Sequence, residues 1–210
     1  MRIKTSTVVA GAALTAAAFL ASDLVNHEYS PVAETVSRFV NTGHGWLVTA
    51  GLCSFTAAAL ALALAVRERA VRVLFGVFTA GLLLAAVFPA DPPGQWASPS
   101  VSEQVHGSAA WVGLLCFNIG AVRFSRRWRS ELPTGLVPTA VAAAVAMGLF
   151  MVCTFDAMFF RELPNLIGLT ERLAIAADLA WMCLAARALA APGPVAATDR
   201  VGTEAAVSGG

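Results

Sequence analysis

The sequence predicts an all-α polytopic membrane protein: six transmembrane helices, both termini cytoplasmic, and a short amphipathic helix in the first outer loop. Three observations lead there. The 210 residues are 58% hydrophobic and only 13% charged, with a mean hydropathy of +0.71, a membrane composition rather than a soluble one. Six apolar runs, Thr5–Leu24, Gly45–Val66, Val71–Pro89, Val105–Phe124, Leu136–Phe155 and Leu169–Leu189, each approach the ~20 residues that cross hydrocarbon as a helix. The charges between the runs are also sorted by side.

That sorting fixes the orientation. Arg2, Lys4, Arg67, Arg69, Arg72, Arg123, Arg126, Arg127, Arg129, Arg187 and Arg200 share one compartment, against Arg38, Arg161 and Arg172 in the other. The positive-inside rule makes the first compartment cytoplasmic. Residues 1–190 then form one six-helix domain, and 191–210, rich in Pro, Gly, Ser and Thr, a disordered cytoplasmic tail. A multi-pass protein of the cell membrane is the expectation.

Span 1 follows Arg2 and Lys4 and so has some features of a secretory signal, but no small-x-small cleavage site follows it, and the later loops fit six spans. After it, Ser30 and Pro31 supply an N-cap and a first-turn proline. Val32, Val36, Phe39 and Val40 recur at helical spacing, with Glu34 and Arg38 four apart on the other side. This predicts an amphipathic helix lying on the outer mouth, as interfacial packing or as a lid.

Spans 2 and 3 are joined by a tight inner turn at Arg67-Glu68-Arg69, and spans 4 and 5 by the basic loop Ser125-Arg126-Arg127-Trp128-Arg129, suited to anionic headgroups. No Gly-rich loop accompanies these arginines, so a nucleotide site is not expected. With a net charge of +1 and no basic stripe, neither is a nucleic-acid partner. Small residues, namely Ala57, Ala61, Ala65, Gly76, Ala80, Gly113 and Gly120, predict close helix packing in lipid. Cys53, Cys116, Cys153 and Cys183 lie one to a run, which argues against disulfides or a zinc knuckle and for small buried side chains.

Between spans 3 and 4, Asp91 before two prolines reads as a turn former, and Ser100-Val101-Ser102-Glu103 has capping-box spacing. His106 follows on the same face as Glu103. His44 and His106 each open a span on the outer side, so a bis-His haem or metal site is one reading; interfacial histidines bound to water or backbone is the other. Asp156 stands at the outer end of span 5. Glu171 and Arg172 open span 6, and Asp178 lies two turns further on Glu171's face, ~10 Å deeper. A carboxyl inside the apolar layer is costly, and it marks either function or a packing lock.

The candidate catalytic groups are therefore Asp178, Glu171, Arg172, His106, His44, Asp156, Glu34 and Asp23, all at or near the outer ends of spans. Convergence on one outward-facing cavity would suit an amphiphile, with its polar head among the charges and its tail toward lipid. The best reading is acid/base chemistry on a lipid or isoprenoid-like substrate of the cyclase or isomerase type, with Asp178 or Glu171 as proton donor, Arg172 as tuner and His106 as base or orienter. Non-enzymatic binding or transport of a small hydrophobic molecule is the alternative. No resident cofactor is expected for either, and the expected partners are the bilayer and that hydrophobic molecule.

The run His27-Glu28-Tyr29-Ser30-Pro31-Val32 with Glu34-Thr35-Val36-Ser37, then Phe88-Pro89-Ala90-Asp91 and His106, resembles a family of small six-span bacterial and archaeal membrane proteins known as a domain of unknown function. The resemblance covers roughly Thr5 to Leu189. It implies fold and location and supplies no catalytic residues. Ala33-Glu34-Thr35 keeps the acid of that family's pattern and lacks its aromatic neighbour.

Overall fold

The computed structural model describes residues 5–95, 98–127 and 135–190. The C-terminal tail 191–210, the basic residues Arg2, Lys4, Arg129 and Arg200, and Trp128 lie outside the described residues. Six helices follow one another: α1 Thr5–Val25, α2 Trp46–Ala65, α3 Arg69–Val87, α4 Val101–Arg127, α5 Leu136–Phe159 and α6 Ile167–Ala190. All six are long and apolar enough to cross a membrane. No strand occurs among the described residues. The chain is a multi-pass membrane protein.

Local chemistry sets the helix ends. Phe88 precedes Pro89, which biases it away from helix, and α3 stops at Val87. Helix α4 begins four residues earlier than the apolar run alone predicts. There the Ser100 hydroxyl accepts the Glu103 N–H at 3.1 Å as an N-cap. At the end of α5 the N–H groups of Phe160 and Arg161 both donate to the Asp156 carbonyl, and Arg161 turns the chain with φ of 59°.

Each helix packs on its neighbours in the chain, and α6 closes back on α1, giving an up-and-down ring. An aromatic plug fills the ring. Trp181 of α6 lies 5.7, 5.5 and 5.8 Å, centroid to centroid, from Phe75, Phe117 and Phe124, and its indole N–H donates to Ser125 Oγ at 2.9 Å. These contacts hold the helices by dispersion, since lipid offers no hydrophobic drive between spans.

Small residues act where the backbones meet. A Cβ at Gly81 of α3 would strike the Ala109 carbonyl of α4, beside Gly113. Gly120 meets the Phe75 ring, whereas Ala57, Gly76 and Ala80 face outward. All four cysteines are free, as expected, but they are not buried: Cys53 is exposed and the other three are half-buried, because they sit toward the lipid side of their helices. Exposed Leu14, Leu20, Val145 and Val152 show the same lipid-facing surface.

The first outer loop holds a short helix, but as 3₁₀ geometry over Val36–Asn41 following a turn at Ser30–Ala33. Its surroundings also differ from an amphipathic helix lying free on the surface. Phe39 and Val36 are buried, as the periodicity predicts, but so is Arg38. The segment is a strap across the end of the ring that the Arg/Lys distribution assigns to the outer side.

Candidate outer polar site

The strap is tied to α6 and α1 on one side. Glu171 accepts the Val36 N–H at 2.5 Å, and the Leu169 N–H donates to the Val32 carbonyl at 3.0 Å. Arg172 donates through Nη1 to the carbonyls of Glu34 and Gly168, at 2.9 and 3.0 Å. Its Nε and Nη2 grip both carboxylate oxygens of Asp23 at 2.8 and 2.6 Å, and its guanidinium lies 5.2 Å from the Phe39 ring centroid. Gly168 allows the strap to lie this close, because a Cβ there would run into the Glu34 and Pro31 carbonyls.

On the other side the strap is tied to the α3–α4 corner. Arg38, with its side chain 3% exposed, has Glu34 at 3.8 Å and Glu103 at 4.0 Å, and donates to the Pro92 carbonyl at 3.1 Å. Asn41 donates to the Ala90 carbonyl at 3.0 Å. Glu103 in turn accepts the Asp91 N–H at 2.7 Å, and Asp91 accepts both the N–H and the hydroxyl of Ser100 at 2.7 Å. Those two bonds hold the Asp91 carboxyl below its usual range, while burial pushes that of Glu34 up against the pull of Arg38.

The candidate groups therefore separate into a linked set and outliers. Asp23, Glu171 and Arg172 meet at one edge of the strap, where Arg172 also holds the Glu34 carbonyl, while the Glu34 carboxyl faces Arg38. Asp156 stands apart: its carboxylate accepts the N–H groups of Glu162 and Leu163 at 3.3 and 3.0 Å and so organises the α5–α6 loop. His44 is exposed, with its backbone N–H donating to Asn26 Oδ1 at 3.1 Å.

His106 is buried, and its Nδ1 lies 3.0 and 2.8 Å from the carbonyls of Ala85 and Phe88 at the end of α3. Carbonyls only accept, so Nδ1 carries a hydrogen toward them. A cavity of only about 10 Å³ lies beside His106, under Ser37 and Val40 of the strap, room for about one water. Among the described residues no group of three or more His, Cys, Asp or Glu side chains is placed to hold a metal ion.

Asp178 differs from all of these. It is fully buried near the middle of α6, and neither carboxyl oxygen has a hydrogen-bond partner among the described residues. It lies one turn outward of Trp181, hence above the aromatic plug, and two turns beneath Glu171. Asp23, Glu34, Asp156 and Glu171 each have a hydrogen-bond or ion-pair partner, whereas Asp178 has none among the described residues.

Arg38 and the Asn26–Ser22 pair, in which Asn26 Nδ2 donates to Ser22 Oγ at 3.0 Å, complete the frame and were not among the candidates. The signal for Asn26 was a polar residue directly after an apolar run. Arg38 gave none beyond its spacing from Glu34.

A family model described as "Protein of unknown function (DUF998)" matches residues 9–188, from the first turns of α1 to the last of α6. No curated protein and no solved structure matches the chain.

Proposed function

The chain belongs to the DUF998 family, and from the outer site we propose that this multi-pass membrane protein performs acid/base chemistry on a lipid or isoprenoid-like substrate at the extracytoplasmic side of the cell membrane. Asp178 is the proton donor. The observation that carries this reading is its complete burial with two oxygens that have no partner among the described residues. Leaving a buried carboxyl unsatisfied costs several kcal/mol, roughly 2–7 for a polar group without a partner, so retention calls for a use.

In this reading the strap is the entrance. Glu171 and Arg172 hold its α6 edge directly above Asp178's face, and release of that edge admits an apolar chain between α6 and the strap toward the acid. Arg172 and Asp23 orient a polar head there. The proton leaves Asp178 for the substrate, and a second group, His106 through Nε2, accepts one as the product forms. Protonation at carbon in a cyclisation or isomerisation needs no resident cofactor.

In a second reading the same groups bind a small hydrophobic molecule without changing it and the strap only gates; the bonds by which Glu171 and Arg172 hold the strap favour it. Comparative mass spectrometry of organic extracts separates the two. Cells carrying wild-type protein and cells carrying Asp178→Asn should differ in at least one lipid-soluble species. Identical extracts, with the variant folded in the membrane, would remove the enzymatic reading.

A further inference from the structure

The inner end of the bundle carries a second polar feature, independent of the acid/base reading. Between α4 and α5 a cavity of about 760 Å³ opens sideways, within the 300–1,000 Å³ range of small-molecule sites. Its walls are apolar at Ile119, Val122 and Ala144, and its mouth is basic. Arg123, Arg126 and Arg127 stand there with one carboxylate, Glu68, leaving two positive charges in excess among the described residues.

The pairing is uneven. Glu68 accepts from Arg123 Nε at 2.6 Å and has Arg127 Nε at 3.8 Å, while Arg126 is exposed and makes no ion pair among the described residues. Deeper in the groove stands Asn118, 7% exposed. Its Nδ2 donates to the Leu114 carbonyl at 3.1 Å, which fixes the amide's orientation, and its Oδ1 is buried with no donor among the described residues. A buried acceptor lining a cavity calls for a donor from whatever fills the cavity.

We propose that this groove binds a single-chain anionic lipid of the inner leaflet, one with a phosphate head and a hydroxyl on the adjoining carbon. The phosphate sits among Arg126 and Arg127, as headgroups do in basic pockets between spans. The hydroxyl donates to Asn118 Oδ1, and the chain lies along Ile119, Val122 and Ala144. Asn118 is eight residues from Arg126, ~12 Å along the axis, and the long Arg side chains, leaning back toward the helix N-terminus, span much of the distance from phosphate to hydroxyl.

The test uses full-length protein in neutral detergent, with bound lipid counted by native mass spectrometry. Lysophosphatidic acid is the probe, lysophosphatidylcholine the zwitterion of the same tail and hydroxyl, and inorganic phosphate the headgroup alone. The expected result is at least tenfold tighter binding of lysophosphatidic acid than of lysophosphatidylcholine, weakened tenfold or more by Arg126→Gln and severalfold by Asn118→Leu. Thermal unfolding of Arg126→Gln should match wild type, since that side chain holds no described contact.

Equal binding of the two lipids would mean ordinary lipid solvation of the groove and would overturn the proposal. So would displacement of the lipid by inorganic phosphate alone, or wild-type binding by Arg126→Gln.

Discussion

Arg172 of α6 holds Asp23 at the end of α1 through both carboxylate oxygens, at 2.8 and 2.6 Å, with both side chains less than one-fifth exposed. The pair closes the ring, since α6 is the last helix and α1 the first, and Arg172 also carries the strap through the Glu34 carbonyl. With the Gly168 carbonyl the guanidinium serves four acceptor oxygens, more than the three donors of a lysine can reach. Arg172→Lys should therefore lower stability by about 2–3 kcal/mol, below the 3–5 of a fully buried pair because some solvent remains. A double-mutant cycle with Asp23→Asn, read by thermal unfolding in detergent, should give a coupling above about 1 kcal/mol. Additive losses would show that the two side chains do not cooperate.

Gly168 is the point where the strap crosses α6 most closely. A methyl group there meets two strap carbonyls rather than flexible side chains, so Gly168→Ala must lift the strap. Overpacking of this kind costs about 1–3 kcal/mol. Hydrogen exchange should quicken over Val32–Asn41, most of all at the Val36 amide bonded to Glu171, while the cores of α2 and α3 stay protected.

The α3–α4 corner should respond to acid. Two bonds from Ser100 lower the folded-state pKa of Asp91, so their stabilisation is complete above the unfolded value of about 4 and fades as pH falls through the lower folded one. Hydrogen exchange of the Ser100 and Glu103 amides, followed downward in pH, should show protection lost at the acid end. In Asp91→Asn that protection should start lower and hardly change with pH.

Asp178 should be a liability to stability. Replacing a buried, unpartnered carboxyl with an apolar group of similar size removes a desolvation cost, so Asp178→Leu should keep stability or raise it by about 1–3 kcal/mol. The same change should abolish product. A large loss of stability instead would reveal that the carboxyl locks packing.

Much of this architecture was legible because apolar run length and arginine placement act locally. Leu136 was expected to start span 5 and does start α5. Helix α4 ran longer than its apolar core because Ser100 caps it, a signal present in the capping-box spacing of Ser100 and Glu103. Arg38 was read as half of a solvated i,i+4 pair. Its burial depends on Pro92 and Glu103, which are distant in sequence and which no spacing rule connects to it. Asp156 and Asp178 were both read as candidate acids, and only the fold shows one satisfied by loop amides and the other without a hydrogen-bond partner among the described residues. Asn118 was visible as a lone amide inside an apolar run, a signal that would have drawn attention to the inner groove.

The central claim, that Asp178 delivers a proton to a hydrophobic substrate, is tested most directly in heavy water. Purified protein reconstituted with membrane lipid extract in D₂O should place deuterium on carbon in a lipid-soluble product, detected by mass spectrometry, and Asp178→Asn should place none. Equal deuterium incorporation by wild type and variant, or none by either, would contradict it.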